Sequence, residues 1–197
     1  MFFDPLLYSF VFLGLFSPGP NVIMLTASGA RFGFQRSVPH LIGVVIGVGV
    51  IAGVTALGVG AVVLANPALA MALKTLAAGW ILWMAWSYFT ATRRPTAEAQ
   101  EIGRPMTLWQ GALFQWINPK VWAVSFAASA GYGAGLAPLQ EAARLALAFS
   151  GVNLGVCLFW AGAGALLTRL LQSPARWQIF MRIMAALLAL SALMVFW

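Results

Sequence analysis

No charged side chain occurs anywhere between Arg36 and Lys74. A soluble domain can bury one such run, but here runs of this kind fill the chain. Apolar segments extend from Pro5 to Ala27, Val38 to Leu64, Ala68 to Thr90, Leu108 to Ala130, about Leu145 to Leu167, and Trp177 to Trp197. Each is long enough for a bilayer-crossing helix of roughly 20 residues. Six such spans use roughly 120–140 residues, which leaves short loops and no soluble domain in a chain of 197. Composition agrees, with 62% hydrophobic and 8% charged residues, where soluble domains carry roughly a quarter charged. That shortage excludes an ordinary cytosolic enzyme and a disordered chain. The runs are continuous rather than alternating, which excludes β-barrel strands. The expected fold is an all-α integral membrane protein: one transmembrane domain over 1–197, with repeat halves about 1–100 and 101–197.

The basic residues set the expected orientation. Arg31 and Arg36 follow span one, Arg93, Arg94 and Arg104 follow span three, and Arg169, Arg176 and Arg182 surround the start of span six. The alternate loops hold only Arg144. Cytoplasmic loops carry the Lys and Arg excess, so both termini are expected outside. Trp109, Trp177 and Trp197 fall at span ends, where amphipathic rings favour the interface. The net charge of +7 forms no continuous patch, so the expected partner of these residues is lipid headgroup and not nucleic acid. The N-terminus lacks the basic n-region of a signal peptide, and Pro18 and Pro20 interrupt its apolar run, so a retained first helix is expected.

Prolines mark an internal repeat. Pro5, Pro18, Pro39 and Pro67 recur as Pro105, Pro119, Pro138 and Pro174 at offsets near one hundred residues. Three spans per half make the halves insert in opposite directions, the inverted-repeat plan of many secondary transporters. Prolines also favour helix ends in general, which would match some pairs by chance. Ser17-Pro18-Gly19-Pro20-Asn21 interrupts span one, and Asn118-Pro119-Lys120 interrupts span four, with Pro18 and Pro119 at matching positions. Each proline removes a backbone donor and frees a carbonyl one turn back. Helical rise places both breaks roughly 15–20 Å deep, near the midplane. Unsatisfied backbone there is tolerated only against protein or a wet cavity. Matching breaks in two halves are the best sequence pointer to a transport site; a packing kink is the plainer reading.

Ser17-Pro18-Gly19-Pro20-Asn21 resembles the TPGPN-type motif of the LysE/RhtB family of small amino-acid exporters, with Ser17 keeping the hydroxyl of the commoner Thr. Asn118-Pro119-Lys120 is similar to that family's NPK motif, and the run from Lys74 through Gly79 to Trp86 resembles its third span. The similarity covers essentially the whole chain. The segment from Gln115 to Lys120 and the tail after Gly151 are most similar to the cysteine/O-acetylserine efflux branch. The resemblance implies export of an amino acid or close derivative across a bacterial inner membrane, driven by the proton gradient.

Lys120 is the strongest single candidate. A Lys at that depth is expensive unless paired or hydrated; it could hold a substrate carboxylate or exchange a proton during transport. Lys74 lies nearer the outer end of span three, where snorkelling to headgroups is an equal alternative. Asn21 and Asn118 suit a zwitterion, or else cap the half-helices. Gln115 and Asn153 could join the cavity or bond between helices. With Ser17, Pro18, Gly19, Pro20 and Pro119, these residues make up the expected substrate-binding set. His40, near the cytoplasmic end of span two, titrates near neutrality when unperturbed but reads first as an interfacial histidine. Glu141 and Arg144 are spaced for a helical pair, and no carboxylate lies deep in a span. Gly43/Gly47, Gly49/Gly53 and Gly151/Gly155 have close-contact spacing, read first as internal packing, with a homodimer surface as an alternative. Trp80, Trp83 and Trp86 read as packing or lipid contact.

Alternative functions fit less well. The lone Cys157 discourages thiol chemistry, and the lone His40 discourages a haem or metal enzyme; no cofactor and no metal are expected. No GxxxxGK[ST] loop occurs, so energy comes from a gradient or another subunit. An accessory or structural membrane subunit leaves the breaks unexplained, and a channel lacks a continuous polar lining. An exporter of a non-amino-acid small molecule stays open.

Overall fold

The computed structural model describes residues 4–17, 19–58, 65–90, 104–167 and 173–193. Among these, every regular element is helical: α1 (Pro5–Phe16), α2 (Pro20–Phe32), α3 (Phe34–Ala56), α4 (Pro67–Phe89), α5 (Leu108–Phe114), a 3-10 turn (Gln115–Ile117), α6 (Pro119–Gly131), α7 (Pro138–Leu167) and α8 (Pro174–Leu193). Proline opens six of the eight α-helices, where its missing N–H would be unpaired in any case. Asp4 caps α1 by accepting Leu6 N–H at 3.0 Å. Thr107 and Gln110 form a capping box at α5. Gly33, at φ 82°, makes the left-handed joint that lets α2 stop and α3 begin one residue later.

Helices α3 and α7 are long and apolar enough to cross a membrane, and α1 with α2, inclined at 61°, form a third candidate if taken as one span. The helices expected as spans three, four and six are α4, α5–α6 and α8. Span five begins at Pro138 instead of about Leu145, which draws Glu141 and Arg144 into its first two turns.

The broken pair of each half rests on the long helix of the other. Helices α1 and α2 lie against α7, α5 and α6 lie against α3, α3 runs along α7, and α4 pairs with α8. Leu7, Val11 and Leu15 of α1 join Leu41, Val44, Val48, Leu145, Phe149 and Val156 in the main core. In lipid, burying a leucine gains little, so close backbone approach and polar contacts must hold helices together. Several such approaches are at glycine. A methyl on Gly29 would lie 2.1 Å from the Ala161 carbonyl oxygen, and one on Gly43 would lie 2.1 Å from that of Leu108. Gly151 and Gly155 face open space, so that pair makes no internal contact. Leu13, Leu113, Leu147 and Trp86 point outward, as lipid-facing residues do.

Three expectations are corrected. Trp177 is fully buried with Phe180 and Met181 instead of lying at an interface. His40 is 1% exposed and packs inside the bundle. Arg144, read as a loop charge, is buried against Glu141 at 2.5 Å and also donates to the Tyr132 carbonyl. Glu141 accepts from Ala134 N–H at 3.3 Å. The pair thus fastens the segment after α6 to the first turns of α7, and each charge has a partner where burial demands one.

Candidate functional site

Both breaks form as expected. Helix α1 ends at Phe16; Ser17 is extended and its hydroxyl turns back to the Gly14 carbonyl at 3.0 Å. Gly19 is extended and buried, and Pro20 is the first residue of α2. In the second half, α5 tightens into the 3-10 turn, Asn118 is extended, and Pro119 is the first residue of α6. The structural counterpart of Pro119 is therefore Pro20. Pro18, which the spacing pairs with Pro119, lies outside the described residues.

Side chains from the two breaks meet. Lys120 reaches a partner 103 residues away, donating to the Ser17 carbonyl and, at 2.9 Å, to the Ser17 hydroxyl. Two dipoles explain the reach. Lys120 is the second residue of α6, the positive end of that helix, where a cation is disfavoured. The Ser17 carbonyl lies at the negative end of α1, where a cation is stabilised. The side chain crosses over Gly19, where a methyl would meet its Cδ at 2.8 Å and its Nζ at 3.0 Å.

Gln115 is the second link and is fully buried. Its amide nitrogen donates to the Gly111 carbonyl at 2.9 Å and to Asn21 Oδ1 at 3.1 Å. Its oxygen accepts from Asn21 Nδ2 at 2.8 Å and from Asn118 Nδ2 at 3.3 Å. All four bonding positions of the amide are used. A backbone carbonyl can only accept, so the Gly111 contact fixes which way Gln115 points. Its orientation in turn fixes Asn21 and Asn118. Asn118 Oδ1 is left buried without a partner, and so are Asn153 Nδ2 and Trp160 Nε1.

These groups face a common cavity lined by Gly19, Asn21, Asn118, Lys120, Asn153 and Trp160 among others. Its volume is about 10 Å³, room for about one water. Beside the engaged amide of Asn21, the lining combines one ammonium, two orphan N–H donors and one orphan carbonyl acceptor in a largely apolar wall, the set needed to hold a carboxylate at one end and an ammonium at the other. Lys120 is the one ionisable group of formal charge among its described lining residues.

Of the expected set, Ser17, Gly19, Pro20, Asn21, Gln115, Asn118, Pro119 and Lys120 cluster at the crossing of the breaks, and Asn153 closes the cavity from α7. Lys74 lies on α4, which contributes no described residue to the lining; its side chain lies outside the described residues. Sequence reasoning missed Trp160 and used Cys157 only to exclude thiol chemistry. The signal was present: Asn153, Val156, Cys157 and Trp160 follow helical spacing and share one face of α7.

The sequence model of the LysE type translocator family matches residues 12–196. Cysteine/O-acetylserine efflux proteins of Escherichia coli (strain K12) and Shigella sonnei (strain Ss046) are each 26% identical over 175 residues, covering 86% of this chain and 86% of theirs. That of Salmonella choleraesuis (strain SC-B67) is 26% identical over 114 residues, 58% of this chain and 57% of its own. No solved structure matches.

Proposed function

This chain belongs to the LysE type translocator family, and from that premise we propose that it exports small amino acids of the cysteine and O-acetylserine class across the bacterial inner membrane. It does so as a secondary transporter, with six spans arranged as two inverted three-helix halves and both termini outside. The reciprocal packing of each broken pair on the other half's long helix supports the repeat. So does the basic bias of alternate loops.

The observation that carries the reading is the meeting of the two breaks through Lys120 and Ser17, beside orphan polar atoms of both signs. The substrate carboxylate displaces the Ser17 carbonyl as partner of the Lys120 ammonium, close to the N-termini of α2 and α6, where an anion is stabilised. The substrate ammonium is held by Asn118 Oδ1, which answers the lack of a deep carboxylate. Asn153 Nδ2 and Trp160 Nε1 complete the carboxylate shell. Space for about one water admits no amino acid, so binding requires the helices around the cavity to part. Rocking of one half against the other opens it to each side in turn. Lys120 changes partner during this cycle and is the group through which the proton gradient acts.

The test is uptake into inside-out vesicles of labelled cysteine, O-acetylserine and a panel of other amino acids, with a proton gradient imposed and then collapsed. Uptake of the small polar class that vanishes with the gradient is expected. No gradient-dependent flux of any panel member from folded protein overturns the reading.

A further inference from the structure

A second, larger cavity of about 240 Å³ lies between α2, α3, α4, α8 and the segment leading into α5. It opens at the end of the bundle that holds Arg31 and Arg104, the end whose loops carry the basic excess. Four methionines and Trp83 form much of its apolar wall, while Arg31, Arg104, His40, Ser28, Ser87 and Tyr88 supply its polar groups. No carboxylate lines it among the described residues.

Two of its polar groups, His40 and Arg31, carry buried nitrogens without partners. His40 is 1% exposed, and neither ring nitrogen has a hydrogen-bond partner. The Arg31 Nε–H is buried and likewise unpartnered. The Arg31 guanidinium is held over the Phe32 ring at 5.1 Å, which positions it without using its donors. Ser28 and Ser37 share a hydrogen bond at 2.8 Å, and Ser87 donates to the Met84 carbonyl at 2.8 Å, so the hydroxyls are engaged within the helices. A buried donor without an acceptor is costly, and two guanidiniums in one cavity repel unless an anion lies between them. An oxyanion meets both needs, and guanidinium is the side chain best matched to a carboxylate.

We infer that this cavity is a second binding site, which takes the carboxylate of a small soluble amino acid arriving from the basic side before it reaches the helix breaks. This rests on the exporter reading for the identity of the occupant. The methionine wall tolerates different side chains because thioethers repack readily, so the site selects for the carboxylate more than for what is attached to it. A lipid headgroup phosphate offers similar chemistry, and the test separates the two.

The experiment is calorimetric titration of the full chain carrying Lys120→Met, in phosphatidylcholine nanodiscs, with O-acetyl-L-serine and with its methyl ester. The substitution removes the ammonium at the breaks and weakens that site, and dependence on Arg104 assigns the remaining carboxylate-dependent binding to this cavity. Binding of the free acid is expected, at least tenfold weaker for the ester and at least tenfold weaker after Arg104→Gln, an exposed position whose change leaves packing intact. Arg31→Lys, which keeps the charge, is expected to retain part of the affinity. No binding to the Lys120→Met chain, or binding changed less than twofold by Arg104→Gln, overturns the inference. Loss of binding when phosphatidylglycerol replaces part of the lipid also overturns it, because a headgroup is then the occupant. Wild-type vesicles assayed in parallel keep the two readings apart. Transport without cavity binding sinks this inference alone, and cavity binding without transport sinks the exporter reading alone.

Discussion

At the first helix break the chain offers mainly backbone. Ser17 presents its carbonyl, Gly19 presents an empty flank, and only Asn21 extends an amide. At the second break it offers side chains: Gln115 as a four-bonded hub, Asn118 with one oxygen left over, and Lys120 with the charge. The backbone plan of the two is alike, an extended residue followed by proline at the start of a new helix. Their chemistry differs, and the difference fits the amino-acid cargo we propose. An amino acid has two unlike ends, and two chemically equivalent breaks would make a site unable to tell them apart. In the proposed repeat, the shared backbone plan supplies the geometry and divergence supplies the polarity.

The largest expected effect is on the joint itself. Gln115→Leu leaves the Gly111 carbonyl and both asparagines without partners, so the unfolding free energy in detergent should fall by about 2–4 kcal/mol. Asn21→Ala, which removes one partner of the hub, should cost about 1 kcal/mol. Equal losses would mean that the hub is not on the second break.

Next comes the charge. Lys120→Ala should lower gradient-driven flux roughly 10- to 100-fold, the equivalent of about 1.5–3 kcal/mol for a charge-assisted hydrogen bond. Ser17→Ala keeps the carbonyl that Lys120 uses and should reduce flux only a few-fold on that scale. The reverse order, measured in vesicles at matched abundance, would assign the active role to the first break.

Gly19→Ala should act through Lys120. The added methyl meets the far end of a flexible side chain, so the ammonium moves and the backbone stays. Stability should change by about 1 kcal/mol or less, with KM for the exported amino acid rising. An unchanged KM would show that the ammonium does not need that flank.

The smallest effect on stability is expected at Asn153. Its Nδ2 has no partner to lose, so Asn153→Leu should leave the melting free energy within about 0.5 kcal/mol while raising KM. A loss comparable with Gln115→Leu would make it a structural residue.

Much of this was legible in the sequence. Proline and glycine state their backbone consequences locally, so the breaks and the start of α1 at Pro5 were read directly, while the prolines that open α4, α7 and α8 lie ahead of the expected span starts. The cluster from Ser17 to Asn21 and from Gln115 to Lys120 was found because polar residues stand out in an apolar chain. Tertiary partners were not legible. Trp177 reads as interfacial by its place at a span end, yet α2 and α8 enclose it beside Ala30. His40 sits one helix turn from a basic loop, and only the packing of α2, α4 and α8 around it reveals a cavity. Trp160 is one of many aromatics, and the helical face it shares with Asn153 marks a site only once Lys120 and Asn118 arrive from elsewhere in the chain. The matching of Pro119 with Pro18 instead of Pro20 was a register choice that spacing alone could not decide.

The most direct test of one site shared by two breaks is substrate protection of thiols placed on each. In a Cys157→Ser background, Ser17→Cys and Asn118→Cys are alkylated separately with N-ethylmaleimide, with and without O-acetyl-L-serine. A shared site predicts that the amino acid slows both reactions, with the same half-protecting concentration. Protection of one position with the other unaffected, or of neither, would contradict it.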